Sequence, residues 1–255
     1  PGIGWNLRKD KKFLIYSTNG AIEQILSDGG ATLLSFQYGT DPYKPTSVVN
    51  AAGQTLTFTW TNGKVSAVTD TAGNVWSYSY NANGMLSSAT SPGANADVRT
   101  YFYEASNVQF LTGIAINGVR YSTYSYDANS RVAVSGLTGG EERDTFSYVT
   151  NPVGINSPAG VPITAQTTVT SASGQAVTYS FANAQGAKKL AWVSRAQTIS
   201  CASTAAQTVY DANGWPDYTL DFNGNKTDYT YDAAGKITRV TTAATTANAL
   251  TRVNT

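Results

Sequence analysis

Histidine is absent from all 255 residues, and its absence removes most of the chemistry a chain of this size could do. There can be no Ser-His-Asp or Cys-His nucleophile, and the commonest general base near neutral pH is missing. Cysteine occurs once, at Cys201. No intrachain disulfide can form, and the usual zinc ligand sets cannot be assembled. The nearest cation in sequence to Cys201 is Arg195, too far along the chain to mark the thiol as activated. Carboxylates remain. Glu104, Glu141, Glu142 and Asp144 are the candidates for a glycosidase-type acid–base pair. No spacing sets two of them across a cleft, and Glu141-Glu142 follows Gly139-Gly140 as a solvated turn would. Asp127-Ala-Asn129-Ser130 and Asp211-Ala-Asn213-Gly214 resemble fragments of calcium loops. Calcium takes about six to eight oxygens from a closed loop, whereas each string supplies one carboxylate. The expectation is therefore structural turns, with no catalytic residue, no cofactor and no metal.

Charge excludes further classes. Seventeen basic and 16 acidic residues leave a formal net charge of +1, and charged residues are only 13% of the chain. The densest basic cluster is Arg8, Lys9, Lys11 and Lys12, which reads as a solvated turn, not the clustered basic face that nucleic acid requires. No apolar run approaches the roughly 20 residues of a membrane helix, and no signal peptide is recognisable. The chain opens on Pro1, not Met, which suggests a processed product or an excised piece.

The elements that carry these residues are strands. Sixteen Tyr and five Trp are a strand-type aromatic load, because flat side chains pack well on a pleated surface. In Thr55-Leu56-Thr57-Phe58-Thr59-Trp60 the apolar residues fall on one face and the threonines on the other. Trp76, Tyr78 and Tyr80 alternate in the same way, as do Val177, Tyr179 and Phe181.

The turns recur in phase. Tyr80-Asn81-Ala-Asn-Gly84, Tyr126-Asp127-Ala-Asn-Ser130, Tyr210-Asp211-Ala-Asn-Gly214 and Tyr231-Asp232-Ala-Ala-Gly235 share one pattern. Asn62-Gly63, Gly73-Asn74, Asn117-Gly118 and Asn223-Gly224 form a second set between them. Two turns per cycle give a repeat of about 20 residues, the signature of serial hairpins. The glycine supplies the positive φ of a tight turn, and the Asp or Asn accepts backbone N–H groups within it. The expected fold is all-β: tandem antiparallel hairpins laid side by side as a curved or spiralling strip, with one aromatic and one Ser/Thr face. Residues 1–50 form an irregular opening β segment. Regular hairpins fill 51–148, divergent repeats with a proline-rich excursion fill 149–207, and hairpins with a tail fill 208–255. Asn151-Pro152, Ser157-Pro158 and Val161-Pro162 mark the excursion. Residues 200–207 read as a small polar loop, and Ala243 to Leu250 is the only candidate for a short helix.

These motifs resemble the RHS/YD-repeat family, whose signature is Tyr-Asp-x-x-Gly. The likeness is strong over about residues 50–135 and 205–242. Gly4-Trp5 is similar to the opening of such regions in bacterial members. The resemblance implies a β strip that spirals into a hollow shell, which encloses a toxin in bacterial polymorphic toxins and toxin complexes. A related barrel serves cell adhesion in teneurins. It further implies a secreted or cell-surface bacterial setting, with the rest of a longer polypeptide and its cargo as partners. Self-association through open strand edges and glycan binding are the other partner expectations; nucleic acid and a membrane span are not expected. The self-cleavage element Asp-Pro-x-Gly-Leu is missing, since Asp41-Pro42 runs on into Tyr43-Lys44. The function implied is a non-catalytic wall; the alternative is a surface adhesion or binding module.

Overall fold

The computed structural model describes residues 4–157, 160–195, 204–244 and 249–253. Every regular element among them is a strand; none is a helix. Two compact units divide the chain, Pro1–Ser122 and Thr123–Thr255.

In the first unit the strands are β1 (Trp5–Lys9), β2 (Lys12–Tyr16), β3 (Ile22–Ser27), β4 (Thr32–Tyr38), β5 (Pro45–Asn50), β6 (Thr55–Thr61), β7 (Lys64–Thr69), β8 (Val75–Tyr80), β9 (Leu86–Thr90), β10 (Val98–Phe102) and β11 (Gly113–Ile116). Each pairs antiparallel with the next in sequence. β12 (Val119–Tyr126) runs through the boundary. The second unit continues with β13 (Val132–Leu137), β14 (Asp144–Thr150), β15 (Ala165–Thr170), β16 (Ala176–Ala184), β17 (Ala187–Arg195), β18 (Thr204–Tyr210), β19 (Pro216–Leu220), β20 (Lys226–Tyr231), β21 (Ile237–Thr242) and β22 (Leu250–Val253). From β13 onward it too is a serial meander.

The pleat explains the burial. Along β8 the exposed Val75, Ser77 and Ser79 alternate with the half-buried Trp76, Tyr78 and Tyr80, as the period of two demands. Most apolar side chains stay half-buried, which is what hairpins laid edge to edge produce. A small buried apolar cluster forms where the excursion between β14 and β15 folds back. There Ile155 and Val161 pack on Ile163, Ala182 and Ala191, and an isolated bridge joins Asn156 to Pro162.

Two expectations need correction. Thr204 to Gln207 is not loop but the start of β18, registered on Arg195 to Trp192 of β17. Ala205 and Ala206 are depleted in strands by propensity, but pairing along β17 and the burial of Gln207 (7% exposed) override that. No helix begins at Ala243: this residue takes φ 52° in a turn, and Leu250 already belongs to β22. Residues 245–248 and Cys201 lie outside the described residues.

Candidate functional site

The candidate site is the recurring turn with the aromatic residue in front of it. In the turn that opens at Asn81, the Asn81 N–H donates to the Met85 carbonyl (2.9 Å) and the Gly84 N–H to the Asn81 carbonyl (2.8 Å). The Asn81 side-chain oxygen then accepts the N–H groups of Asn83 (3.0 Å) and Met85 (2.9 Å). Asp127 does the same for Asn129 and Arg131, both at 2.9 Å, and its second oxygen holds the Arg131 guanidinium at 2.8 Å. Asp211 accepts from Asn213 and Trp215, and Asp232 from Ala234 and Lys236, all at 2.9 Å. One side-chain oxygen thus satisfies two backbone donors that the tight turn would leave unpaired. Gly84, Gly214 and Gly235 take φ of 74°, 76° and 82°, while Ser130 holds the matching position at 65°.

Reading for Tyr-Asp alone missed members of this class. Asn50, Asp70 and Asp221 build the same turn: Asp70 binds the N–H groups of Ala72 and Asn74, Asp221 those of Asn223 and Asn225, and Asn50 those of Ala52 and Gln54. Their signal was present as an Asx residue three positions before Gly53, Gly73 and Gly224. Asn62-Gly63 is a different device, a two-residue turn with both φ positive (51° and 75°) between Thr61 and Lys64, the type I′ pattern.

Where an aromatic residue precedes the turn, it marks a bulge, ties one hairpin to the one before, or does both. Tyr38, Trp60, Tyr80, Tyr210 and Tyr231 each sit where the partner strand skips a residue, a bulge of the kind that interrupts the ladder. Opposite Trp60 is Val65, and the skipped residue is Ser66. The Val65 carbonyl accepts the hydroxyl of Tyr80 from the next hairpin at 2.9 Å. Likewise the Tyr38 hydroxyl donates to Ile22 O (2.7 Å), the Trp60 indole N–H to Pro45 O (2.9 Å), the Tyr148 hydroxyl to Val132 O (2.7 Å) and the Tyr210 hydroxyl to Leu190 O (2.8 Å). Pro45 itself faces Tyr38. A relay therefore runs through successive hairpins: Tyr38 latches onto Ile22, Trp60 onto the residue opposite Tyr38, and Tyr80 onto the residue opposite Trp60.

Cations complete the latch. Lys64, Arg131 and Lys189 each immediately precede an accepting residue and lie over the ring of Tyr80, Tyr148 and Tyr210 at 5.2, 4.3 and 5.2 Å, within cation–π range. At the last repeat Trp215 holds that place, 5.2 Å from the ring of Tyr231. Burial pushes the Tyr38, Tyr210 and Tyr231 hydroxyls above their ordinary titration range, which favours the neutral donor form. Tyr126 closes β12 directly before the Asp127 turn.

The candidate carboxylates Glu104, Glu141, Glu142 and Asp144 take separate places along the two units. Glu104 is ion-paired with Arg120 at 2.9 Å and accepts the Thr112 hydroxyl at 3.0 Å. The hydrogen bond from Arg120, then that from Thr112, holds its carboxyl below the usual range, so it stays an anion and makes a poor acid. This buckle closes the base of the loop between β10 and β11. Glu141 and Glu142 are exposed in the turn after Gly140, and Asp144 opens β14 opposite Ser135. Among the described residues no three His, Cys, Asp or Glu cluster as metal ligands. The basic cluster is solvated: Arg8 pairs at the surface with Asp28 at 2.7 Å. No described helix is long and apolar enough to cross a membrane.

The family model "RHS Repeat" matches residues 60–96 and 210–247, which hold the Trp60, Tyr80 and Tyr210 latches and the turns at Asp70, Asn81, Asp211, Asp221 and Asp232. The chain therefore carries RHS repeats at these two sites. Among solved structures it is similar to TcdB2-TccC3 and to TcdB2-TccC3-Cdc42, each at TM-score 0.57 and 11% identity, over 91% of this chain and 13% of that one. The Tc holotoxin pore of Photorhabdus luminescens is similar at TM-score 0.50 and 12% identity, over 91% of this chain and 14% of that one. At these identities the likeness is one of fold, and the chain spans a small part of those polypeptides. No curated protein matches the sequence.

Proposed function

We propose that the chain is a stretch of wall from an RHS-type shell, a non-catalytic scaffold that encloses or presents a toxin or other cargo within a longer, secreted bacterial polypeptide. The observation that carries this reading is the relay from Ile22 through Tyr38, Trp60 and Tyr80. A catalytic domain converges unlike groups on one cleft. Here the same kind of contact recurs at three successive hairpins and ties each to the one before it, which is how a repeat protein builds an extended surface. The fold likeness to TcdB2-TccC3 supports the same reading. Its partners are then the remainder of the polypeptide and the cargo. The test is electron microscopy of the intact parent polypeptide, with proteolysis of its cargo. A hollow shell whose cargo resists protease is expected; an open strip, or cargo cut as fast as when free, refutes the proposal.

One observation favours the alternative of an adhesion or binding module. A groove of about 450 Å³ in the first unit is lined by Leu34, Leu56 and Trp76, with Asn50, Gln54 and Asp70 among its polar groups. An indole beside fixed amide and carboxylate oxygens suits a sugar or a peptide side chain. Glycan-array binding that is lost in Trp76→Ala would establish this reading; a blank array removes it.

A further inference from the structure

We propose that Asn62 is a site of spontaneous covalent modification, at which the chain converts asparagine to aspartate or isoaspartate through a cyclic imide. The chemistry needs an asparagine followed by an unhindered residue, a backbone N–H free to lose its proton, and a carboxamide free to turn toward it. Asn-Gly occurs at Asn19, Asn62, Asn83, Asn117, Asn213 and Asn223, and the fold sorts these sites.

At Asn19, Asn83, Asn213 and Asn223 the following glycine sits in the longer Asx or Ser turn. Its N–H donates to the carbonyl of Ser17, Asn81, Asp211 or Asp221 at 2.8–3.0 Å, so proton loss there costs a hydrogen bond. Asn117-Gly118 forms the same kind of two-residue turn as Asn62-Gly63, with φ of 52° and 82°, but its carboxamide is pinned. Its Nδ2 donates to Asp97 at 2.9 Å, and its Oδ1 accepts the Val98 N–H at 2.8 Å. Asn62 escapes both restraints. Asn62 and Gly63 are exposed, and neither the Asn62 carboxamide nor the Gly63 N–H has a hydrogen-bond partner among the described residues.

The step balances with water alone. Gly63 N gives its proton to solvent base and bonds to Asn62 Cγ; the Cγ–Nδ2 bond breaks, and ammonia leaves with a proton from solvent. Water then opens the imide at either carbonyl, leaving aspartate or, with the main chain rerouted through Cγ, isoaspartate. The product carboxylate faces a changed neighbourhood. Asn62, Lys64 and Tyr80 line one groove of about 490 Å³, so the new charge competes with the Tyr80 ring for the Lys64 ammonium.

The experiment is incubation of the intact chain at mildly alkaline pH in heavy-oxygen water, followed by peptide mapping. Hydroxylamine cleavage of the intermediate reads the imide directly. Label and cleavage are expected at Asn62 about ten-fold ahead of Asn117, the protection that hydrogen bonds of ordinary strength confer. Asn62→Gln should abolish the signal. Asp97→Ala, which frees the Asn117 Nδ2, should raise the Asn117 rate several-fold and leave Asn62 unchanged. Equal rates at Asn62 and Asn117, earlier conversion at Asn83, Asn213 or Asn223, or an Asn62 left intact while an unstructured Asn-Gly peptide converts, each overturns the proposal.

Discussion

The hydroxyl of Tyr80 donates to the carbonyl oxygen of Val65 at 2.9 Å, and Val65 is the residue that faces Trp60 across the preceding hairpin. A tyrosine named in the repeat for its place before a turn thus serves mainly as a tie between hairpins. Tyr80→Phe keeps the ring and its place under Lys64 but leaves the carbonyl without its donor. It should lower stability by about 0.5–1.5 kcal/mol. Tyr80→Leu, which also removes the flat cation-binding face, should cost more. Denaturant melts of the two variants check the order, and equal costs would mean that the hydroxyl contributes nothing.

Gly235 and Gly224 separate backbone strain from crowding. Their φ values are nearly the same, 82° and 79°. A Cβ on Gly224 meets nothing within 4 Å, while one on Gly235 lies 2.6 Å from Trp215 Cζ2. Gly224→Ala should therefore cost only the left-handed penalty, about 1–2 kcal/mol. Gly235→Ala should add about 1–3 kcal/mol for moving an indole that packs at a tilt against the Tyr231 ring. Ser130, at φ 65° in the equivalent place, predicts the reverse: Ser130→Gly should stabilise the chain by up to about 1 kcal/mol. Thermal melts of the three variants test the set.

Local periodicity made the all-β hairpins and the Tyr80-Asn81 to Gly84 turn legible, because strand alternation and turn chemistry lie within a few residues. The latch was not legible. It depends on which residue the partner strand skips, and a bulge at Ser66 leaves no mark in composition. The dipeptides Gly73-Asn74 and Asn223-Gly224 mark their turns but not the residues that organise them, because the Asp70 and Asp221 oxygens lie three residues before the glycine. Thr204 to Gln207 reads as loop because Ala205 and Ala206 carry a weak strand signal, while pairing with Trp192 and its neighbours decides their state. The carboxylate reading depended on distance in space, and the Arg120–Glu104 pair at 2.9 Å could not be deduced from two residues so far apart in the chain.

Acid should weaken the turns in a defined window. Asp70 and Asp221 titrate below the ordinary carboxylate range, first because the Asn74 and Asn225 side chains donate to them and next because backbone N–H groups do. A depressed folded pKa contributes stability above the unfolded value of about 4 and loses it as pH falls through the folded value. The melting temperature should therefore drop below about pH 4. Asn50 and Asn81 perform the same backbone task uncharged, so Asp70→Asn with Asp221→Asn should hold the neutral melting temperature and flatten the acid slope. A double variant with the full acid slope would place the titration elsewhere.

Alkali should release the latches themselves. Desolvation is the largest cause that raises the Tyr38 and Tyr210 hydroxyls above their ordinary value, and both are donors, to Ile22 O and Leu190 O. The folded pKa of these acids is raised, so the protonated form is the one the fold favours. Their contribution is complete below the unfolded tyrosine value of about 10 and is lost as pH rises through the higher folded value. A phenolate cannot donate, and it faces a carbonyl oxygen, so ionisation turns attraction into repulsion. Trp60 makes the same contact to Pro45 O through an indole N–H, which does not ionise in this range. This supplies the control: Tyr38→Trp and Tyr210→Trp, where the indole is accommodated, should flatten the loss of melting temperature above pH 10, while Phe at either position should lower stability at neutral pH already. Absorbance titration of the phenolate band gives an independent reading, because latched hydroxyls ionise only at the pH where the fold loosens. Ionisation of Tyr210 at its ordinary value in a fully folded chain would show that its hydroxyl is not held by Leu190.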